Sequence, residues 1–335
     1  MKHPTSRARR FTARAIGVFA SIAFVGVAAG ASFELDEHPD LRKAPVHAPV
    51  TIAVANGALI APDVPAKPLA FAFLDSLVGL SGKLRAHFVA LGVATPSDPI
   101  LAQLFGDSAL EIAGVHPLVD AARSFSLITM LPFSAKQRGR IGAYRIGNWP
   151  YEHRAPRTSG YSNPDGFIEV TADNESTYVS DHFRLGDFLT HDQSDTWPKY
   201  LVLNEKLVDK LELVIQDLND HGVHVEHLAI MSGFRTPEYN VQGLGRGGRV
   251  RDSRHQFGDA ADVYVDNNGS GRMEDLNHDG RVDTRDARVI RDAVDRVEAA
   301  HPELVGGVGL YRGTSMHGPF AHIDARGARA RWGRG

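Results

Sequence analysis

The stretch Ser253-Arg254-His255-Gln256-Phe257-Gly258-Asp259-Ala260-Ala261-Asp262 decides how this chain is read. It sets an imidazole and a carboxylate on either side of Gly258, where a loop can turn back onto a strand, so both side chains can point one way. Further on, His322-Ile323-Asp324 places a second imidazole and carboxylate at i and i+2, on one face of a strand. Before the motif, Ser232-Gly233-Phe234-Arg235 turns sharply out of a strand expected over Val223 to Met231. His255, Asp262 and His322 can thus meet in space, with His317 nearby. A catalytic zinc takes three protein ligands and leaves one position for water. The chain contains no cysteine. Disulfides and thiolate metal sites are therefore excluded, and any metal must rest on His, Asp or Glu.

The surrounding pattern is that of an α+β domain. Leu201, Leu207, Val208, Leu211, Val214, Ile215 and Leu218 recur at helical spacing, and Gly222 follows to end the helix. Asp262 to Val265, Val308 to Tyr311 and Ala321 to Asp324 read as short strands of a small sheet with helices on one side. Toward the N-terminus, residues 32–68 read as a Pro- and Ala-rich linker with up to two strands, Val50 to Val54 the better one. Leu69 to Leu91 has apolar residues at helical spacing, with Gly92 to end it. Arg140 to Trp149 alternates in part and reads as a strand, and Tyr151 to Asn174 as irregular. No catalytic constellation precedes Ser180. The expected organisation is a targeting segment over 1–31, a region without assigned role over 32–179, and a metal-binding domain over 180–335.

The motif register resembles that of the zinc D-Ala-D-Ala metallopeptidases, which share their fold with the hedgehog signalling domain. That family has Ser-x-His-x-x-Gly-x-Ala-x-Asp, a later His-x-Asp, and an earlier Ser-Gly-aromatic-Arg turn. Here these are Ser253, His255, Gly258, Ala260 and Asp262, then His322 and Asp324, with Arg235 in the turn. The resemblance implies a hedgehog/DD-peptidase-like domain with a small antiparallel sheet and flanking helices. It implies His255, Asp262 and His322 as zinc ligands, with Arg235 binding a substrate carboxylate or carbonyl. His317, five residues before the last ligand, is implied as the general base, since the glutamate of another branch is replaced by Pro319. Gly306 to Tyr311 and the ending Arg326 to Trp332 look like the periplasmic murein-peptidase branch. Substrates would then be peptidoglycan peptides, cut by carboxypeptidase or endopeptidase action. The rival reading is a zinc-containing hedgehog-like module that binds cell wall or a protein partner without cutting it. Asp324 is expected to orient an imidazole rather than to act as a fourth ligand.

A second metal site is expected between the two zinc segments, in an insertion over about 266–300. Asp275, Asn277, Asp279, Gly280 and Asp283 fit positions 1, 3, 5, 6 and 9 of a calcium loop, with a backbone oxygen from Arg281 and Asp286 at position 12. Aspartate in place of glutamate there is shared with dockerin-type loops, which the segment resembles. Ala287, Ile290, Ala293, Val294 and Val297 form the apolar face of the helix that should follow.

At the start, Lys2, Arg7, Arg9, Arg10 and Arg14 precede the apolar run Ala15 to Ala29, and Ala29-Gly30-Ala31 offers a signal-peptidase site. The run is short for a membrane span, so a cleaved signal is expected, with an uncleaved anchor as the alternative and the only route to a membrane. The protein is expected in the periplasm or cell envelope. Its removal leaves 32 basic and 40 acidic side chains, a net charge of −8. Nothing in that balance suggests nucleic acid as a partner.

Overall fold

The computed structural model describes residues 78–83, 85–118, 126–245 and 249–333. The targeting segment and the strand expected at Val50 to Val54 lie outside them. The α+β architecture is present as two main sheets with helices packed on them.

The C-terminal sheet comprises β8 (Leu228–Ser232), β9 (Ala260–Val265), β10 (Gly307–Tyr311), β11 (Phe320–Asp324) and β12 (Ala330–Trp332), in the order β12-β10-β11-β9-β8. Only the β10–β12 pairing is parallel. Helix α3 (Glu205–Asp220) buries Leu207, Val208, Leu211, Val214, Ile215 and Leu218, each contributing about 1.5–3 kcal/mol. The Asn204 side chain caps it by accepting from the Lys206 amide. Helix α5 (Thr284–Ala300) packs its expected apolar face against α3, β10 and β11. Buried Lys210 of α3 donates to Glu298 of α5 at 2.7 Å and to the Asp324 carbonyl at 2.7 Å. That pairing is what makes the buried charge tolerable, and it fixes the end of β11.

The N-terminal half departs from expectation. Over the described part of Leu69 to Leu91 there is no helix: Gly79 and Gly82 turn the chain, and His87–Ala90 forms β1, parallel to β3 (Ser126–Pro132). Helices α1 (Asp98–Phe105) and α2 (Ser108–Glu111) follow, then β2 (Gly114–Pro117) on β3. Arg140 to Trp149 is not one strand but a hairpin of β4 (Arg140–Ile141) and β5 (Tyr144–Arg145), folded at Gly142. The stretch Tyr151 to Asn174 contains a buried strand, β6 (Gly166–Val170), which pairs with β3 and with β7 (Lys199–Leu201). Its sequence, Gly-Phe-Ile-Glu-Val, is too short for periodicity to reveal, and pairing on both edges is what defines it. Residue 180 does not divide the packing, because the β6–β7 pair straddles it and one hydrophobic core runs from Ala86 to Ile323. Among the described residues no helix is long and apolar enough to cross a membrane.

Between β9 and α5 the chain repeats itself. Asp266-Asn-Asn-Gly-Ser-Gly-Arg-Met-Glu274 is followed at once by Asp275-Leu-Asn-His-Asp-Gly-Arg-Val-Asp283. The backbone repeats too. Asp266 accepts from the amides of Ser270 and Gly271, as Asp275 does from those of Asp279 and Gly280. Asn268 and Asn277 each accept from the amide two residues on. Gly269 and His278, at matching places, both have positive φ.

Candidate metal centre

Register and one close approach bring the cluster together. Strand β11 pairs antiparallel with β9 so that His322 lies directly opposite Asp262, with both side chains on one face. His255 sits in the single helical turn Arg254–Phe257, and the chain returns to β9 through Gly258 at φ +68°. Any Cβ there would stand 2.3 Å from the Val202 carbonyl oxygen, so only glycine permits the return. The turn after β8 locks onto the same segment, with the Arg235 amide donating to the His255 carbonyl at 3.1 Å.

The three side chains are buried, and one atom of each converges. His255 Nε2 lies 3.1 Å from His322 Nδ1, and Asp262 Oδ1 lies 2.9 Å from His322 Nδ1 and 3.3 Å from His255 Nε2. The opposite ring nitrogens show what these atoms carry. His255 Nδ1 is 2.7 Å from the Gly233 carbonyl, which only accepts, so it bears the proton and Nε2 presents a lone pair. His322 Nε2 is 3.1 Å from Asp324 Oδ2 and is likewise the donor, which turns the Nδ1 lone pair inward. Three lone pairs facing one another repel unless something positive lies between them. Ligand atoms on a tetrahedron with bonds of about 2.0–2.1 Å are about 3.3 Å apart, close to the separations found here. The buried His255, Asp262 and His322 can therefore hold a metal ion. Two imidazoles and one carboxylate suit zinc, and the same set serves non-haem iron(II).

Without a metal a proton takes its place. Burial opposes charge on His322, but its bonds to Asp262 and Asp324 outweigh it and push the ring up to about 9. Burial pulls His255 down to about 4, against the attraction of Asp262. Burial alone would raise the Asp262 carboxyl, yet contact with His255 and His322 holds it well below its ordinary value. Asp324, buried as well, also accepts from the Gly307 amide at 2.8 Å and from Arg326 Nε at 2.8 Å, so it orients His322 rather than entering the cluster.

Other residues singled out in the sequence sit differently. Arg235 does reach the cluster, but its fork is engaged there: Nη2 donates to Asp262 Oδ2 at 2.5 Å and Nε to Ser232 Oγ at 2.9 Å. Burial lowers its pKa, Asp262 opposes this, and the nearby charge of Arg249 lowers it further. His317 is not brought to the cluster. Its Nδ1 donates to the Gly318 carbonyl at 2.8 Å, its ring stands edge-on to Phe320, and it does not line the cavity above the cluster. The calcium-loop residues are not gathered to one point either. Arg285 reaches Asp279 at 2.5 Å and Asp283 at 2.8 Å, so a guanidinium already engages both and cancels one of their two charges. Asp286 turns inward, accepting from the amides of Leu276 at 2.9 Å and Asp283 at 2.7 Å. Asp275 and Asn277 accept from backbone amides within the loop, and Arg281 contributes its own amide to Asp279 at 3.0 Å.

The cavity over the cluster measures about 650 Å³. Trp332, whose ring lies 5.2 Å from that of His322, and the stacked Tyr311–Phe320 pair form an aromatic wall. Arg157 and Tyr161 line the cavity too, although they come from the stretch read as irregular and without a role. That stretch and Trp149 just before it clasp the motif loop: Trp149 Nε1 donates to the Gln256 carbonyl at 2.8 Å, Tyr151 to Asp252 at 2.9 Å, and Arg254 to the Gly160 carbonyl at 2.6 Å. Sequence spacing carries no trace of such distant partners. Arg249, also in the lining, was not singled out in the sequence, and the Gly- and Arg-rich composition around it is the one signal that could have found it.

Fold and site together define an α+β protein with a buried His–Asp–His cluster, able to hold a metal ion, at the floor of an open cavity. No family model matches the chain, and neither a curated protein nor a solved structure does.

Proposed function

We propose that this chain is an exported zinc peptidase that hydrolyses D-amino-acid-containing bonds in the stem peptides or cross-links of peptidoglycan. The observation that carries the reading is the convergence of three inward-facing lone pairs beneath a cavity of ligand size. The motif register of the zinc D-Ala-D-Ala metallopeptidases supports the choice of metal and of substrate. Bound there, zinc supplies Lewis-acid polarisation of a carbonyl and a nucleophile at neutral pH. The chain's own residues hold that centre: the Gly233 carbonyl and Asp324 fix the two rings, and Arg235 occupies the outer oxygen of Asp262. Tyr311, Phe320 and Trp332 give the peptide an apolar wall and exclude water from one side. Asp252 is the lining carboxylate that stays outside the cluster; Tyr151 and Arg157 hold its Oδ2, and its other oxygen is the candidate proton acceptor.

Digestion of purified peptidoglycan, with and without a chelator and beside His322→Ala, tests this reading. New muropeptides that vanish in both controls are expected, and their masses name the bond cut. One observation favours a second reading, a zinc-containing module that binds wall without cutting it: the His317 ring is turned to Gly318 outside the cavity. Hydrolysis lost in Asp252→Asn but retained within about threefold in His317→Ala upholds the peptidase. A folded, zinc-loaded protein that releases no fragment gives the site to the binding module.

A further inference from the structure

Arg235 spends its fork on Asp262 and Ser232, which leaves recognition of an anionic group to another residue. Arg249 is built for it. Its guanidinium lies over the Tyr239 ring, 4.4 Å from the centroid, and Nη1 donates to the Tyr239 carbonyl at 3.2 Å. The side chain runs through a slot left by Gly243, where a Cβ would stand 2.2 Å from Nη1. Stacking uses the face of the guanidinium and leaves most of its N–H edge free. Four other cavity arginines have an acid of their own: Arg157 has Asp252, Arg235 has Asp262, Arg254 has Asp259 and Arg326 has Asp324. Arg251 is exposed and, among the described residues, has no aromatic face or slot to hold it. Among the described residues no carboxylate pairs with Arg249, which nonetheless lines the cavity.

Resting on the peptidase reading, we propose that Arg249 is the carboxylate-binding residue of the cavity, and that the peptide this site takes presents a carboxylate to it. That carboxylate is either the chain end or an acidic side chain. A preorganised guanidinium donates two parallel bonds to a carboxylate, and an amide in its place forfeits one and the charge with it.

The test is calorimetric binding to the full chain kept metal-free, so that nothing is cleaved. Three probes are compared: N-acetyl-D-alanyl-D-alanine, its C-terminal amide, and N-acetyl-D-glutamyl-D-alanine amide. A carboxylate-bearing probe should bind roughly ten- to a hundredfold tighter than the alanyl amide, the range for a hydrogen bond to a charged group. Preference for the first probe assigns the chain end, and preference for the third a side chain. Arg249→Gln should erase the preference and Arg249→Lys restore part of it. Gly243→Ala, which displaces Arg249 without removing its charge, should resemble Arg249→Gln. Unchanged zinc uptake by each variant verifies that the fold is intact. Equal binding of all three probes, no binding at millimolar concentration, or a preference that survives in Arg249→Gln overturns the proposal. Peptidoglycan digestion is read independently, so the peptidase assignment can stand when the carboxylate subsite falls.

Discussion

The His255–Asp262–His322 cluster and the Asp275–Asp286 loop were both marked by residues that bind metals, yet their oxygen and nitrogen atoms are spent in opposite ways. In the cluster, outer partners take the far side of each group, and the lone pairs are left facing inward. In the loop, backbone amides and Arg285 take the carboxylate oxygens themselves. What separates a metal site from an acidic turn is therefore the direction of the unsatisfied lone pairs, not the inventory of ligands.

The largest effect that would sharpen this contrast is loss of metal from the cluster. If about 10–16 kcal/mol of binding is shared among the ligands, His322→Ala should weaken zinc by roughly a hundred- to a thousandfold, and Asp324→Asn, which spoils only orientation, by about ten- to a hundredfold. Metal analysis after dialysis against a graded chelator reads both, and equal losses would refute the division into ligand and orienter.

The next effect is pH dependence. In the metal-free protein His322 titrates near 9, so at neutral pH an incoming ion must displace its proton. Affinity should rise about tenfold per pH unit from pH 7 until it levels near 9. The stability that His322 gives the metal-free fold runs the other way. It is fully present below the ring's ordinary value of about 6.5 and is lost as pH rises through 9. Competition titrations against a chelator check the first slope and thermal melts the second. A flat affinity profile would mean that no proton occupies the cluster.

The smallest effect belongs to the loop. Removing the half-exposed Arg285 takes away one like charge near an incoming divalent cation, worth at most about thirtyfold in affinity at the Coulomb energy found close to water. Arg285→Ala should thus bind calcium more tightly than the natural chain does, as read by the rise in melting temperature with added calcium. Tighter binding by the natural chain would erase the contrast between the two regions.

Much of the cluster was legible because its geometry is local. The i, i+2 spacing of His322 and Asp324 fixes a shared strand face, and the step from His255 through Gly258 to Asp262 has one economical path. Helices α3 and α5 declared themselves by long apolar periods. The short strands β1 and β6 did not, since each is defined by partners remote in sequence, and the β4–β5 hairpin has only two residues a strand, too few for alternation to show its turn. Orientation was hidden for the same reason. Nothing in the order of residues says that Arg235 would reach back to Asp262, that His317 would settle on the neighbouring carbonyl, or that Arg157 and Tyr161 would wall a cavity whose floor is built near the C-terminus.

The doubled nine-residue segment also bears on the chain's history. Its first copy anchors to the core through Met273, 3% exposed, while the matching Val282 of the second copy is 48% exposed. Each copy closes its own turns and sends one apolar side chain to the core, Met273 in the first and Leu276 in the second. A unit of that kind can be duplicated or lost whole by slippage in the coding sequence. This edge of the molecule is therefore expected to vary among descendants in steps of nine residues, while β9 and β11 on either side of it stay fixed in length.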